Sequence, residues 1–147
     1  MDMKVLIAVD SSDASKHATQ TAHDFFPNAE HIVLSAVVSA PYAYTEPLGG
    51  GAFAVIPSID QMQASEAAAD HATSMAKDIL GGSTDAVVDI GDPGRAICAE
   101  AMQHAVDVIV VGRGDKKWLD RLFQPSVSDH VMKHAPCPVL VVREPSA

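Results

Sequence analysis

The sequence lacks the glycine-rich motifs that mark two common classes of nucleotide-binding domain. Its first apolar run is followed by Asp10, Ser11 and Ser12, so no G-x-G-x-x-G follows that run, which argues against a dinucleotide-binding fold. No G-x-x-x-x-G-K-[ST] occurs, which excludes a P-loop NTPase. No nucleophile elbow and no paired catalytic carboxylates are visible, so catalysis finds little support.

Cysteines and basic residues are also scarce. The two cysteines, Cys98 and Cys137, form no disulfide framework; we expect buried thiols in a reducing compartment. Ten Lys and Arg against 19 Asp and Glu give a net charge of -9, which argues against nucleic acid and anionic membranes as partners. No apolar run approaches the roughly 20 residues of a membrane span, and none after Met1 suits a signal peptide. We therefore expect a cytoplasmic protein.

The sequence does contain a regular alternation of apolar runs and helical segments, predicted to form one domain over residues 1–147. Strands are predicted at Val5–Val9, Ile32–Val38, Ala86–Ile90, Val108–Val111 and Val139–Val142. Helices are predicted at Ser12–Phe26, Gln61–Leu80, Pro93–His104 and Ser126–His134. This order predicts an α/β fold, a doubly wound parallel sheet with right-handed crossovers. The segment Ala40–Ile59, rich in proline and glycine, is predicted to be either a mobile surface loop or a lid.

A cationic segment follows the fourth predicted strand. Four of the ten basic residues fall within nine positions: Arg113, Lys116, Lys117 and Arg121. A strand, a cationic loop and a helix N-terminus together make a natural anion site. The alternative is a solvated loop whose charges partly cancel against Asp115 and Asp120, because exposed ion pairs of this kind are weak.

Five short strings along the chain carry a family resemblance. They are KVLIAVDSS from Lys4, GDP from Gly91, VIVVG from Val108, SVS from Ser126 and HAPCPVLVVR from His134. With them the chain resembles the universal stress protein family over essentially its full length. The resemblance implies a five-stranded sheet of order 3-2-1-4-5 with helices on both faces, a homodimer through Val139–Val142, and a stress-response regulatory or binding function. The alternative function is a weak ATP-hydrolysing or phosphotransfer enzyme.

The resemblance also implies a site for ATP or another adenine nucleotide where the strand order switches, between the first and fourth strands. The implied binding residues are Ala8, Asp10, Val37, Val111, Gly112, Gly114, Ser126, Val127 and Ser128. Asp10 would lie near the adenine and ribose, and Val37 would line the adenine pocket. The alternatives are a helix N-cap for Asp10 and a core position for Val37.

The family's nucleotide motif, G-x2-G-x9-G-[ST] after the fourth strand, is incomplete in this chain. Gly112 and Ser126 match it, but Asp115 and Pro125 stand at the second and third glycines, and Gly114 is one residue out of register. Glycines let backbone N–H groups approach phosphate oxygens, whereas Pro125 has no N–H and Asp115 adds negative charge. The sequence therefore predicts that ATP binds weakly or not at all.

Two histidines one helical turn apart raise the question of a metal site. His130, His134 and Cys137 form H-x3-H-x2-C, but no fourth ligand is evident. His134 in the last helical turn is equally explained by the helix dipole, which favours a cation there. We therefore expect no metal site.

Restoring the two missing glycines should raise the affinity for ATP. Asp115→Gly with Pro125→Gly returns one backbone donor and removes a charge, worth about 1.5–3 kcal/mol, while added loop freedom subtracts about 1 kcal/mol. We expect the double variant to bind ATP roughly tenfold more tightly than the wild type in a calorimetric titration. The two single variants are the controls, and no gain in the double variant would mean that the site is lost for another reason.

Overall fold

The computed structural model describes residues 2–10, 12–37, 59–81, 84–90, 92–113 and 125–143. Nine elements follow one another there: β1 (Lys4–Val9), α1 (Asp13–Phe25), β2 (Glu30–Val37), α2 (Ile59–Leu80), β3 (Asp85–Ile90), α3 (Pro93–Gln103), β4 (Val108–Arg113), α4 (Pro125–His134) and β5 (Val139–Arg143). All predicted elements are confirmed, with ends shifted by at most two residues. The predicted loop Ala40–Ile59 lies outside the described residues, except that Ile59 begins α2.

The five strands form one parallel sheet in the order β3-β2-β1-β4-β5, as predicted. The central strand β1 pairs with β2 from Lys4↔Glu30 and with β4 from Val5↔Val108. Because all strands run the same way, their C-terminal ends meet along one side of the sheet, here called the carboxyl edge. The opposite side is called the amino edge.

Each face of the sheet is covered by one pair of helices. On the α1–α2 face, alanines of α1 and α2 pack on alternate strand residues such as Ile7 and Val110. On the α3–α4 face, Ile97 of α3 and Val131 of α4 pack on the other alternate residues, such as Leu6. The inner strands β1, β2 and β4 are buried on both faces, which explains why they read as continuous Val and Ile runs rather than as alternating patterns.

The helices begin and end where their sequences provide caps. Ser12 is the N-cap of α1, and its Oγ accepts a hydrogen bond of 3.1 Å from the Ser15 N–H. Asp92 caps α3, and its carboxylate accepts a bond of 3.0 Å from the Arg95 N–H. α2 ends before Gly81, whose φ of 66° closes the helix in the left-handed region. In the described part of the chain, no helix is long and apolar enough to cross a membrane.

Candidate functional site

The candidate site lies at the carboxyl edge between β1 and β4. These two strands are neighbours, but the helices that follow them, α1 and α4, cover opposite faces of the sheet. The chain therefore leaves the two strand ends in opposite directions, and such a point is where parallel sheets generally bind ligands. Three predicted residues lie at this edge: Asp10 directly after β1, Val37 at the end of β2, and Gly112 near the end of β4.

A local network of hydrogen bonds holds the Asp10 carboxylate. Its Oδ1 accepts a bond of 2.8 Å from the Ser12 N–H and a bond of 2.9 Å from the Ser15 hydroxyl. The Asp10 N–H in turn donates to Ser15 Oγ at 2.8 Å. Ser15 is fully buried, so the first turn of α1 fixes this half-buried carboxylate from behind. Both contacts use Oδ1, and Oδ2 has no hydrogen-bond partner among the described residues.

The alternative interpretation of Asp10 as the N-cap of α1 is wrong, because the cap is Ser12. Ser15, which makes two hydrogen bonds to Asp10, is not among the residues predicted from the sequence. Its position three residues after the cap is where a capping-box side chain reaches back towards the cap residue. Here Ser15 reaches two residues further, to the backbone and carboxylate of Asp10. A serine at that spacing was a signal available from the sequence.

Gly112 is required by packing between a strand and a helix. A Cβ built at this position would lie 2.5 Å from the Ala14 carbonyl oxygen and 3.3 Å from Ala18 Cβ. Its φ is not positive, so the conformational freedom of glycine is not what the site needs. The glycine lets α1 approach β4 closely, so that the start of α1 lies beside the end of β4.

The other predicted site residues divide into three groups. Ala8 and Val111 are register partners on β1 and β4, 1% and 4% exposed, and their side chains belong to the core of the α3–α4 face. Ser126, Val127 and Ser128 lie in the first turn of α4, which begins at Pro125, so their backbones occupy a helix N-terminus as predicted. Gly114 and Asp115 lie outside the described residues.

His130 and His134 lie on α4, Cys98 lies on α3, and Cys137 lies between α4 and β5. The rings of His130 and His134 approach each other to 4.4 Å between centroids, and within the described ranges no three His, Cys, Asp or Glu side chains converge as a metal site. Burial, and then Asp92, raises the pKa of the Cys98 thiol. Burial, Asp107 and Cys98 raise the pKa of the Cys137 thiol. Both thiols are therefore protonated and weakly nucleophilic at neutral pH.

A shallow surface depression lies at the opposite end of the strands. It is lined by Asp2, Met3, Phe26, Pro27, Asn28 and Ala29. These residues precede β1 and connect α1 to β2, so the depression belongs to the amino edge. It contains none of the predicted site residues.

Comparisons with known proteins agree on one family. The model of the universal stress protein family matches residues 1–143. A universal stress protein of Methanocaldococcus jannaschii is 31% identical over 146 residues, which cover 97% of this chain and 82% of that protein.

Solved structures of the same family share the fold. The universal stress protein UspA of Lactobacillus plantarum matches with a TM-score of 0.67 and 25% identity over 96% of this chain and 97% of its own. An Arabidopsis thaliana family member with AMP bound has a TM-score of 0.63 and 20% identity over 98% and 93%. A universal stress protein in complex with cAMP has a TM-score of 0.56 and 18% identity over 95% of this chain. The Archaeoglobus fulgidus protein in complex with dAMP has a TM-score of 0.61 and 18% identity, also over 95% of this chain. The chain covers 95% and 97% of those two chains, respectively.

The packing at Gly112 predicts an unequal response of two glycines to alanine. Gly112→Ala should lower the free energy of unfolding by about 1–3 kcal/mol, because the added methyl meets backbone that cannot move aside. Gly94→Ala is the control, since the three atoms nearest to its added Cβ belong to the His130 side chain and lie at 3.1–3.2 Å, whereas the nearest atom at Gly112 is a backbone oxygen at 2.5 Å. Urea unfolding measures both. Equal losses for the two variants would contradict the packing role of Gly112.

Proposed function

The chain belongs to the universal stress protein family, and we propose that it is a dimeric regulatory or binding protein that holds an adenine nucleotide at the carboxyl edge, with a weakened phosphate site. The fixed carboxylate of Asp10 carries this proposal. It lies directly after β1, at the switch in strand order, and its Oδ1 is held by Ser12 and Ser15. This arrangement leaves the other carboxylate oxygen to accept a hydrogen bond from a ribose hydroxyl or an adenine amino group.

The surroundings of Asp10 suit the neutral part of a nucleotide. Val37 ends β2, the neighbour of β1, so its backbone lies along the same edge on the side away from β4. An adenine placed there would lie near an apolar strand end, and the ribose would lie at Asp10. The similar structures that contain AMP, cAMP and dAMP support an adenine nucleotide as the ligand class.

The phosphate side of the proposed site is weakened at a specific backbone position. Pro125 is the first residue of α4, so the first of the free N–H groups at this helix N-terminus is missing. The N–H groups of Ser126, Val127 and Ser128 follow it and remain available to an anion. Together with Asp115 in place of a motif glycine, this supports phosphate binding that is present but weak.

The proposed dimer uses β5, which is one of the two edge strands of the sheet. Val139, Leu140 and Val141 are only half-buried in the single chain, so their apolar surface is incompletely covered. The other edge strand, β3, carries Asp85 and Asp89, and charges on an edge strand discourage pairing with another chain. The apolar stretch Val139–Val141 favours β5 for pairing about a two-fold axis.

Nucleotide titrations test the proposed site. We expect the wild type to bind AMP. We expect its dissociation constant for ATP to lie above about 1 µM, which corresponds to a binding free energy weaker than about -8 kcal/mol. Asp10→Asn keeps the oxygen that Ser12 and Ser15 use but turns the other oxygen into a donor, so AMP affinity should fall about tenfold or more. Asp24→Asn is the matched control, because the Asp24 side chain is 74% exposed near the end of α1. An Asp10→Asn variant that binds AMP as the wild type does would remove the proposal's basis.

A turnover assay on the same samples separates binding from enzyme activity. Nucleotide binding without stoichiometric formation of ADP supports the binding protein. Release of ADP that requires a divalent cation and disappears in Asp10→Ala would instead support the alternative, a weak ATP-hydrolysing or phosphotransfer enzyme.

The mass of the protein in solution tests the β5 edge. We expect a homodimer by light scattering, and Val141→Lys should give monomers or aggregates because it places a charge in the paired strand. Val88→Lys is the control, since Val88 is 48% exposed on the opposite edge strand β3. A Val141→Lys variant that keeps the dimer mass would argue against this interface.

A further inference from the structure

Two arginines stand side by side at the ends of β4 and β5. Arg113 and Arg143 are direct register partners in the parallel pair, and both are exposed. Neighbouring strands lie about 4.8 Å apart, so two positive charges start from adjacent backbone positions. Like charges directly opposite each other in a sheet are destabilising. The arrangement is unexpected in a protein with only ten basic residues and a net charge of -9.

Strand alternation places both side chains on the α3–α4 face. Val111 and Val141 pack against the core of that face, and Arg113 and Arg143 follow them by two residues. Val131 of α4 packs in the same core, and α4 begins at Pro125 on the carboxyl edge. The two arginines and the N-terminus of α4 therefore share one face and one edge, and all three favour an anion.

Among the described residues, no carboxylate forms an ion pair with either arginine. Within the described ranges, the ion pairs closer than 4.0 Å join His23 to Asp24 and His104 to Glu100, so neither arginine is part of one. Among the described residues, Asp10 is the carboxylate level with Arg113 on the β1 side, because Ala8 pairs with Val111 and each of the two charged residues follows two positions later. Its Oδ1, however, is held by Ser12 and Ser15 rather than by Arg113.

We propose that Arg113 and Arg143 form a paired-arginine site for a polyphosphate, and that this pair takes over part of the phosphate binding lost with the motif glycines. The proposal rests on the proposed nucleotide function and names its preferred ligand, a nucleoside diphosphate or triphosphate rather than a monophosphate. Guanidinium groups donate two parallel hydrogen bonds to phosphate oxygens, which a backbone N–H cannot do. A chain of phosphates brings enough negative charge to offset the repulsion between the two arginines.

The order of charges along the carboxyl edge supports a nucleotide with its phosphates directed towards β5. From β1 to β5, the edge presents Asp10, then Arg113, then Arg143. A carboxylate suits the hydroxyl-bearing ribose, and the arginines suit the phosphates beyond it. Pairing of β5 with a second copy would use the backbone edge of the strand, and the arginine side chains above the face would remain available.

Calorimetric titrations of the full chain with AMP, ADP, ATP and inorganic tripolyphosphate test the pair. We expect affinity to rise from AMP to ATP in the wild type. Arg113→Gln and Arg143→Gln should each weaken ATP and tripolyphosphate about tenfold or more and leave AMP nearly unchanged. Arg143→Lys should lose most of this affinity as well, because a lysine keeps the charge but not the bidentate geometry. Lys133→Gln removes an exposed charge near the end of α4 and should change nothing.

Thermal unfolding of the ligand-free variants gives a second, independent measurement. If the arginines repel each other, Arg143→Gln should raise the melting temperature at low salt, and the gain should shrink as added salt screens the charges. Tripolyphosphate should raise the melting temperature of the wild type by more than that of Arg143→Gln, because stabilisation by a ligand falls as its dissociation constant rises. A lower melting temperature of ligand-free Arg143→Gln would mean that Arg143 is held by a stabilising contact, and the pair would not be a ligand site.

The titrations distinguish an incorrect arginine site from an incorrect adenine site. Nucleotide binding that depends on Asp10 but not on either arginine would overturn the arginine pair and leave the adenine site standing. Tripolyphosphate binding that depends on both arginines, without binding of AMP or ATP, would support the pair and overturn the adenine nucleotide as ligand. Equal affinity for AMP and ATP in the wild type would also overturn the pair.

Discussion

The close contact between α1 and the two central strands determines the geometry of the carboxyl edge. The backbone of Ala14 lies where a side chain at position 112 would be, and Ala18 and Ala22 continue the contact along the helix. Small residues on both the helix and the strand let the helix axis approach the sheet. Larger side chains at these positions would therefore be destabilising. The first turn of α1 is thereby fixed beside β1, and Ser15 in that turn holds Asp10. The candidate site thus depends on packing that is almost entirely apolar.

Gly112 shows how one residue can satisfy a motif for a reason other than the one first assigned to it. The sequence suggested that a glycine there lets phosphate oxygens approach the backbone. The structure shows that the space beside it is already filled by α1, on the α1–α2 face. The other face of β4 at this level belongs to Arg113, which points the opposite way by strand alternation. A ligand at the end of β4 would therefore meet the arginine side of the strand.

Nearly all of the fold could be predicted from the sequence because each element carries its own signals. Buried parallel strands are continuous Val and Ile runs, and prolines, glycines and caps bound the helices. The strand order followed from the resemblance, since alternation of strands and helices by itself allows several orders. The relations between distant residues could not be predicted. Arg113 and Arg143 are neighbours only because β4 and β5 pair with Arg113↔Arg143, and a shift of the register by one residue would separate them to opposite faces.

The charged residues at the two edges of the sheet are used differently, and this bears on how an acidic protein could hold the proposed anion. At the amino edge, Asp107 accepts a hydrogen bond of 2.8 Å from the Lys4 N–H, so a carboxylate there is used to connect β1 with the start of β4. At the carboxyl edge, basic side chains end β4 and β5, and the carboxylate of Asp10, directly after β1, is held by Ser15 of α1. If Asp10 were free to swing towards Arg113, the two charges would pair and the anion site would be lost. Ser15 therefore serves both halves of the proposed site, because it fixes the carboxylate for the ribose and keeps it away from the arginines.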